Sequence, residues 1–346
     1  MEIGIIGLPN VGKSTLFNAL TGLSVPAENF PFTTIEPNVG IVPVPDERLK
    51  KLGEIFKPQK LTPAPVKFVD IAGLVKGASK GEGLGNKFLS HIREMDALVH
   101  VIRGFESPDV VNVLGSPDPE GEKAVIETEL MLSDLEVAVR LREKLLSVAK
   151  SGDKAARERV ALLEKVKEGL DLGRPIRQLG INPEELKGWD FLTSKPVLYV
   201  LNAGEGGAAA PGGNTVVISA KIEAELNSLP EDEQKEFRKD MGIEVSGLQK
   251  LVLAAFNMLG LITFYTVVGT EVRAWNIVKG SSASAAAGKI HTDMEKGFIR
   301  AEVYNFSDLE RLGSEKGLHE KGLIRIEGRD YTVKDGDILK INFKVN

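Results

Sequence analysis

The feature that most constrains this chain is a phosphate-binding pattern near its N-terminus. Residues 7–14 read Gly-Leu-Pro-Asn-Val-Gly-Lys-Ser, which matches the Gly-x-x-x-x-Gly-Lys-Ser motif. An apolar run at 3–6 precedes the motif, and the helix-like stretch Thr-Leu-Phe-Asn-Ala-Leu follows it at 15–20. Strand, glycine-rich turn and helix in this order let backbone N–H groups and a helix N-terminus surround an anion. The pattern predicts binding of a nucleoside triphosphate; a chance glycine turn is the less favoured interpretation.

The side chains of this loop have separate expected roles. Lys13 is expected to reach the β- and γ-phosphates, and the Ser14 hydroxyl to coordinate Mg²⁺. We expect nucleotide contacts from the loop and the first helical turn, that is from Asn10, Val11, Gly12, Lys13, Ser14 and Thr15.

Two later segments have the spacing expected of partners for this loop. Residues 29–34 read Asn-Phe-Pro-Phe-Thr-Thr, where a threonine is able to place its hydroxyl on Mg²⁺ and its N–H on the γ-phosphate. A β-rich run ends in Asp70, the expected carboxylate near Mg²⁺, and Gly73 offers an N–H at the γ-phosphate. Asp-x-x-Gly alone is common at the end of a strand. The prediction that Asp70 and Gly73 belong to the nucleotide site therefore depends on their position after the phosphate loop.

Leu74 stands where many GTPases carry the glutamine that orients the attacking water. An aliphatic side chain neither donates nor accepts a hydrogen bond, so slow intrinsic turnover is expected. The stretch that follows contains four glycines, which predicts a mobile segment: Gly77, Gly81, Gly83 and Gly85.

The loop expected to select the base departs from the guanine-binding pattern Asn-Lys-x-Asp. After an apolar run at 196–201 it reads Asn202, Ala203, Gly204 and Glu205. Adenine has no 2-amino group and an acceptor at N1, so it gains nothing from the carboxylate contact that guanine uses. The loop therefore argues against strict guanine selectivity without proving adenine. Ser219 and Ala220 follow a further short strand, at the usual place for a second base-supporting loop.

Composition narrows the class of protein. The chain has 346 residues, a net charge of −5 and no cysteine, which excludes disulfides, thiolate metal sites and thiol catalysis. It has no basic-apolar leader and no apolar run of membrane-spanning length, so we expect a cytoplasmic protein. The net charge gives no general attraction to nucleic acid.

The middle of the chain reads as a long helical insertion. Apolar residues recur at helical spacing on both sides of a break at 151–153: Met131, Leu135, Ala138, Leu141, Leu145 and Val148, then Ala156, Val160, Leu163, Val166 and Leu170. Two amphipathic helices joined by a glycine-containing turn predict an antiparallel hairpin. The charged outer faces of this hairpin are expected to be simply solvated, which is the favoured interpretation. The alternative is that the hairpin is an arm that binds a partner.

The remaining segments give weaker signals. From about 261 the chain turns to short strands and turns, which predicts a small α+β module. His291, Lys296 and Arg300 there are equally compatible with an RNA contact and with a surface that has no partner. His100 lies in the apolar run 97–102 and is expected to be a hydrogen-bonded core histidine rather than a catalyst.

Together these segments resemble the Obg-like ATPase family of the YchF type, over essentially the whole chain. The residues that carry the resemblance are the loop at 7–14, the stretches 29–34, 70–78 and 81–86, the Asn-x-x-Glu at 202–205, and Gly-Lys-Ile-His-Thr-Asp at 288–293. The resemblance implies an α/β P-loop NTPase domain of the Ras-like, OBG type, interrupted by a coiled-coil hairpin and followed by a TGS domain of β-grasp fold. The corresponding limits are 1–108 with 196–260 for the nucleotide domain, 109–195 for the hairpin and 261–346 for the TGS domain.

The resemblance also implies site residues and partners. It implies ATP preferred over GTP, with Asn202 and Ala203 at the adenine and Phe105 packed near it. It implies Ser14 and Thr34 as Mg²⁺ ligands, with Thr34 preferred to Thr33, and Asn10 as the basis of a K⁺ requirement. The expected partner is the ribosome, at its large subunit and associated RNA. Glu205 and the glycine- and alanine-rich run to 213 depart from the longer polar segment expected in relatives, so the strength of base selection stays open.

These observations lead to an Mg²⁺-dependent ATPase that acts as a conformational switch. Lys13, Thr34 and Gly73 are its predicted catalytic groups, and Ser14, Thr34 and Asp70 its predicted metal-site residues. We expect a monomer without membrane or DNA contacts. Two alternatives remain: a nucleotide-gated binding protein whose hydrolysis is incidental, and a GTPase with relaxed base selectivity.

Overall fold

The computed structural model describes residues 1–23, 38–71, 84–107, 110–113, 115, 118–204, 212–240 and 245–344. Their contacts divide the chain into two compact units. The first contains described residues within 1–22, 38–40 and 67–251, and the second contains Leu23 and those within 41–66 and 252–344. None of the helices in the described ranges combines the length and the apolar character needed to cross a membrane.

A six-stranded sheet forms the core of the first unit and positions the phosphate loop. The strands are β1 (Glu2–Ile6), β2 (Val39–Pro43), β4 (Pro65–Asp70), β5 (Ala97–Gly104), β6 (Val197–Ala203) and β7 (Thr215–Ile218). Their order in the sheet is β2-β4-β1-β5-β6-β7, and β1 is parallel to β4 and β5, β5 to β6 and β6 to β7. The central strands are buried and almost continuously apolar, which is typical of parallel strands covered on both faces.

Helices follow these strands in the order expected of an α/β fold. They are α1 (Lys13–Gly22), α3 (Leu84–Glu94), α4 (Pro119–Lys150), α5 (Lys154–Asp171), α6 (Ala220–Asn227), α7 (Glu231–Asp240) and α8 (Gly247–Met258). Two short 3₁₀ helices lie at Ile176–Gln178 and Pro183–Leu186. The predicted order of strand, phosphate loop and helix at the N-terminus is confirmed.

The central helices α4 and α5 pack against each other on either side of a turn at Gly152, as the periodicity predicts. The predicted apolar positions of α5 are all buried, and Ala138 of α4 is buried in the same cluster as Leu163 and Val166. Val148, predicted on the apolar stripe, is instead 45% exposed, because it lies in the last turn of α4, beyond the main cluster. The helices are also unequal, with 32 and 18 residues.

A buried carboxylate fixes the residues that return from this pair of helices to the sheet. Asp134 of α4 is fully buried and accepts hydrogen bonds from the N–H groups of Leu192 and Thr193, at 2.8 and 2.7 Å, and from the Thr193 hydroxyl at 2.7 Å. Burial raises the pKa of the Asp134 carboxyl, and these bonds oppose that shift. The helical segment therefore belongs to the same compact unit as the sheet.

The second unit is built on a mixed six-stranded sheet with the order β11-β10-β12-β8-β9-β3. Its strands are β3 (Lys60–Thr62), β8 (Leu261–Val268), β9 (Glu271–Val278), β10 (Phe298–Asn305), β11 (Arg325–Glu327) and β12 (Asp337–Phe343). Strand β12 is antiparallel to β10 and parallel to β8, and β8 is antiparallel to β9. The helices are α2 (Glu47–Phe56), α9 (Ala283–Ile290), α10 (Thr292–Lys296), α11 (Phe306–Leu312) and α12 (Glu315–Glu320).

The division by contacts assigns residues 41–66 to this second unit, including α2 and β3, although the last residues of β2 and the first of β4 are part of the sheet described above; this differs from the predicted domain limits. Strand β3 pairs in parallel with β9, and Leu49 and Leu52 of α2 are buried in one cluster with Tyr265 and Ile338. The division therefore assigns part of the predicted 1–108 segment to the C-terminal module. It also begins that module at 252 rather than 261, and it does not separate 109–195 as a body of its own. A pattern along the chain gives no sign of pairing between distant segments, and the limits given from the sequence stay a prediction.

Candidate functional site

The phosphate loop leaves β1 at Ile6 and enters α1 at Lys13, and its backbone is held in unusual conformations. Gly12 has φ +89° and Asn10 has φ +66°, both in the left-handed region where only glycine, and less often asparagine, is at ease. A Cβ on Gly7 would lie 2.8 Å from the carbonyl oxygen of Val101, so strand β5 leaves no room for a side chain there. The glycines are therefore required by the course of the loop.

A cavity of about 650 Å³ opens above this loop. Ser14 and Thr15 are exposed beside it, and Lys13 and Asp70 face it from the loop and from the end of β4. The Lys13 ammonium forms an ion pair with the Asp70 carboxylate, and both side chains are largely buried. The structure thus brings together the predicted phosphate-binding lysine and the predicted carboxylate of the metal site.

Asn202 ties the phosphate loop to the opposite side of the site. Its side-chain N–H donates to the carbonyl of Val11 at 2.9 Å, and its side-chain oxygen accepts the N–H of Ala220 at 3.0 Å. The amide is buried, and a Cβ on Gly12 would lie 2.1 Å from its nitrogen. Sequence reasoning placed Asn202 at the base; the structure adds that its amide holds the end of β6, the loop and the start of α6 in register.

A second cavity of about 560 Å³ continues from the first. Both are lined by Gly12, Thr15, Phe105 and Val110, so one elongated ligand is able to occupy the two together. The rest of the second cavity is formed by Glu106, Ser107, Asn202, Ala203, Gly204, Ser219, Ala220 and Lys221. Ser219 caps α6, and Ala203 is buried. The predicted base-binding residues that the structure describes therefore meet in one cavity.

The groups at the phosphate cavity fit a hard divalent cation held mainly by the nucleotide. Ser14 offers an exposed hydroxyl and Asp70 a carboxylate, and oxygen donors of this kind suit Mg²⁺. Within the described ranges no group of three or more His, Cys, Asp or Glu side chains could hold a metal ion alone.

Several predicted site residues fall outside the described residues. These are Thr33, Thr34, Gly73, Leu74 and Glu205, together with the stretches 29–34 and 72–83. Asn10, which is described, donates its side-chain N–H to the carbonyl of Val111 at 3.2 Å, and its oxygen is the atom that a cation would use.

His100 differs from its prediction. It is buried on β5, as expected, but neither ring nitrogen has a hydrogen-bond partner among the described residues. Burial, with smaller contributions from the charges of Arg177 and Lys123, lowers the pKa of the imidazole to about 3. The ring lies 5.7 Å from that of Tyr199, centroid to centroid, and plays no part in either cavity. The prediction of a hydrogen-bonded histidine is therefore wrong, because the described residues that surround the buried ring offer it no hydrogen bond.

Sequence reasoning missed Arg103, the residue that holds one wall of the second cavity. Arg103 is 2% exposed, and its guanidinium lies over the Phe105 ring, 4.5 Å from the centroid. An arginine directly after the apolar run 97–102 was a visible signal, since a buried guanidinium needs several acceptors.

Parallel strands that present a phosphate cavity and an adjoining second cavity at their carboxyl ends define a P-loop nucleotide-binding protein with a G-type domain. Two family models match the chain, and the first of them agrees with this class. One described as a 50S ribosome-binding GTPase matches residues 2–136, and the YchF GTPase C-terminal model, described as a protein of unknown function, matches 261–346.

Full-length relatives make the assignment specific. The chain is 48% identical to a protein of Haemophilus influenzae, with 99% of each chain covered, and 45% identical to one of Bacillus subtilis, with 100% of each covered. Both are named ribosome-binding ATPase YchF. A solved structure described as the Schizosaccharomyces pombe YchF GTPase superposes with a TM-score of 0.88 at 35% identity, covering 99% of this chain and 97% of that one. The chain belongs to the YchF family.

Proposed function

We propose that this protein is an Mg²⁺-dependent ATPase that works as a nucleotide-driven switch on the ribosome. The observation that carries the proposal is the pair of joined cavities, one above Lys13 and the other bounded by Asn202 and Ala203. Full-length relatives named ribosome-binding ATPase support the same activity and the same partner.

We propose that the base cavity favours ATP over GTP. A guanine-binding site uses an aspartate to accept hydrogen bonds from N1 and the 2-amino group, and the described part of the loop instead presents the buried Ala203 and Gly204. A bound guanine whose N1–H and 2-amino group found no acceptor would lose affinity, since a polar group left without a partner on burial is costly; Glu106 is the one carboxylate in the described lining. A related structure is nevertheless described as a GTPase, so base selection is the first property to measure.

The phosphate groups of ATP would be met by Lys13 and by backbone N–H groups at the start of α1. A triphosphate competes with Asp70 for the Lys13 ammonium, because the two are paired in the structure. Catalysis then depends on positioning and charge neutralisation by Lys13 and the loop amides, since phosphoryl transfer needs little covalent chemistry from the protein. Mg²⁺, when bound, supplies further neutralisation of phosphate charge, with Ser14, Thr34 and Asp70 as its proposed site.

Intrinsic turnover is proposed to be slow. Leu74 offers no hydrogen bond to an attacking water, and Thr34 and Gly73 are proposed to contact the γ-phosphate through their N–H groups. Loss of that phosphate would then release 29–34 and 73–87, which is the switch. Asn10 is proposed as a K⁺ ligand through its side-chain oxygen.

The remaining parts of the chain are proposed to communicate with the ribosome. The packed pair α4 and α5 supports a coiled-coil arm, and the five-strand order β9-β8-β12-β10-β11 with α9 supports a TGS domain of β-grasp fold. We propose that the arm and this domain contact the large subunit and its RNA, and that the protein is a cytoplasmic monomer without DNA or membrane partners.

The decisive experiment is competition of ATP and GTP against a fluorescent nucleotide, with Mg²⁺ and with K⁺ or Na⁺ present. The proposal expects at least tenfold tighter binding of ATP, a difference of about 1.4 kcal/mol. A preference for GTP would replace the ATPase by a GTPase and leave the switch intact. Equal binding in K⁺ and Na⁺ would remove the proposed K⁺ site.

A hydrolysis assay separates the switch from a binding protein with incidental turnover. Phosphate release is measured with and without ribosomes for the native protein and for Lys13→Ala. The switch predicts stimulation by ribosomes that Lys13→Ala abolishes. Turnover that stays basal with ribosomes, while ribosome affinity still follows the bound nucleotide, would favour the nucleotide-gated binding protein.

A further inference from the structure

One wall of the base cavity is an exposed, irregular stretch of chain. Between the end of β5 at Gly104 and the start of α4 at Pro119, the described residues form neither helix nor strand. Phe105 and Val110 line the cavity from this stretch, while Val111 is 76% exposed. Such a segment needs support from elsewhere to hold one conformation.

Arg103 provides that support from inside the fold. Its Nε donates to the carbonyl of Phe105 at 3.1 Å, and its two Nη atoms donate to Val110 at 2.9 Å and Val111 at 3.3 Å. One planar guanidinium thus donates hydrogen bonds to the carbonyl before 108–109 and to the two carbonyls after it in the sequence. The same guanidinium lies over the Phe105 ring. The fixed fork of an arginine suits such divergent acceptors, and the point charge of a lysine does not.

The backbone of Arg103 is anchored in turn. The register between β1 and β5 ends at the Ile6–His100 pair, three residues earlier. The Arg103 N–H instead donates to the buried carboxylate of Glu122, in the first turns of α4, at 2.8 Å. Hydrogen bonds therefore fix both the backbone of Arg103 and the position of its guanidinium.

We infer that Arg103 is a positioning residue for the nucleotide base: it holds Phe105 and Val110 in place as the outer wall of the base cavity. This inference rests on the proposed nucleotide site. Arg103 is itself buried and acts through the residues that it holds. Phe105 and Val110 also border the phosphate cavity, but a base-free ligand is held there mainly by Lys13 and the loop N–H groups, so it depends less on this wall than a nucleoside triphosphate does.

The test compares ligands with and without a base. Affinities of ATP, GTP and inorganic tripolyphosphate are measured with Mg²⁺ for the full chain, for Arg103→Lys and for Arg103→Gln, the second substitution serving if the first does not fold. Arg177→Lys is the matched control, because Arg177 also binds several groups in the same unit, including the Thr193 carbonyl, Glu127 and the Tyr199 hydroxyl, and lines neither cavity.

The expected result is at least a tenfold loss of ATP affinity in the Arg103 variants, with tripolyphosphate affinity changed less than twofold. In turnover assays, KM for ATP should rise by the same factor while kcat stays within twofold, and Arg177→Lys should leave both ligands unaffected. Equal losses for ATP and tripolyphosphate, or no loss of ATP, would overturn the inference. Preference of the unaltered protein for GTP would overturn only the proposed ATPase, since the comparison with tripolyphosphate then applies to GTP.

Discussion

Asn202 donates a hydrogen bond to the Val11 carbonyl across 191 residues of sequence, and this bond joins the end of β6 to the phosphate loop. Replacing it with alanine leaves both the Val11 carbonyl and the Ala220 N–H without a partner, at about 1–3 kcal/mol for each group. We therefore expect Asn202→Ala to weaken ATP and tripolyphosphate alike, by tenfold or more, in the competition assay. Ser219→Ala is the control: it removes the cap of α6 and should leave tripolyphosphate binding intact. Loss of ATP binding alone in Asn202→Ala would mean that the side chain serves only the base.

Gly12→Ala should abolish nucleotide binding through the same contact. The new Cβ would lie 2.1 Å from the Asn202 nitrogen, on a backbone with φ +89°. Gly152→Ala is the control for backbone strain alone. Gly152 also has a positive φ, +102°, but no atom lies within 4 Å of the position that a Cβ would take. That control should lose about 1–2 kcal/mol of stability and keep full ATP affinity. Thermal unfolding with and without ATP measures both, and an ATP-induced stabilisation in Gly12→Ala equal to that of the native protein would contradict the expectation.

Asp134→Ala should destabilise the first unit without changing its nucleotide affinity. Removing the carboxylate leaves the buried N–H groups of Leu192 and Thr193 unsatisfied, so a loss of about 3–5 kcal/mol is expected. Asp134→Asn retains one acceptor oxygen and should lose less. Urea unfolding gives the free energies, and an Asp134→Ala protein as stable as the native one would show that these bonds add nothing.

His100 should make stability depend on pH in the acid range. Its pKa is about 3 in the folded protein against 6.5 in the unfolded chain, so unfolding takes up a proton between those values. The contribution of neutral His100 is complete above pH 6.5 and falls as pH decreases, by at most about 1.4 kcal/mol per pH unit. His100→Leu should flatten the slope of unfolding free energy against pH between 4 and 6, and should be neutral or stabilising at pH 7. His91→Leu, at an exposed histidine of α3, is the control, and equal slopes for the native and His100→Leu proteins would refute the linkage.

The parts of the fold that could be predicted are those that depend on residues close together in the sequence. The phosphate loop between β1 and α1 is one such part, and the helices on either side of Gly152 are another, because each depends on a local motif or a helical period. The assignment of 41–66 to the second unit could not be predicted this way. Strand β3 has only three residues, and its partner β9 begins at Glu271, so nothing local marks the pairing.

The sequence predicted which residues would meet at the candidate site better than how they are held there. Lys13, Ser14 and Asp70 were predicted because phosphate chemistry requires those groups at those spacings, and the structure places them at one cavity. The role of Asn202 as a link, and of Arg103 as support for a cavity wall, depends on where backbone carbonyls lie in space. An arginine after the apolar run 97–102 signals that acceptors are needed, but the sequence does not say which backbone carbonyls supply them.

The membership of residues 41–66 in the second unit has a consequence for the order in which the chain is made. During synthesis, Leu49 and Leu52 leave the ribosome about two hundred residues before their partners in the second sheet. At about 5–20 residues per second, that interval lasts on the order of ten seconds or more, during which α2 and β3 have no sheet to join. The second unit therefore cannot be completed until β12 (Asp337–Phe343) has been made, although α2 and β3 are made long before it. A C-terminal fragment that starts at 252 would lack both of them, however correctly its own strands paired.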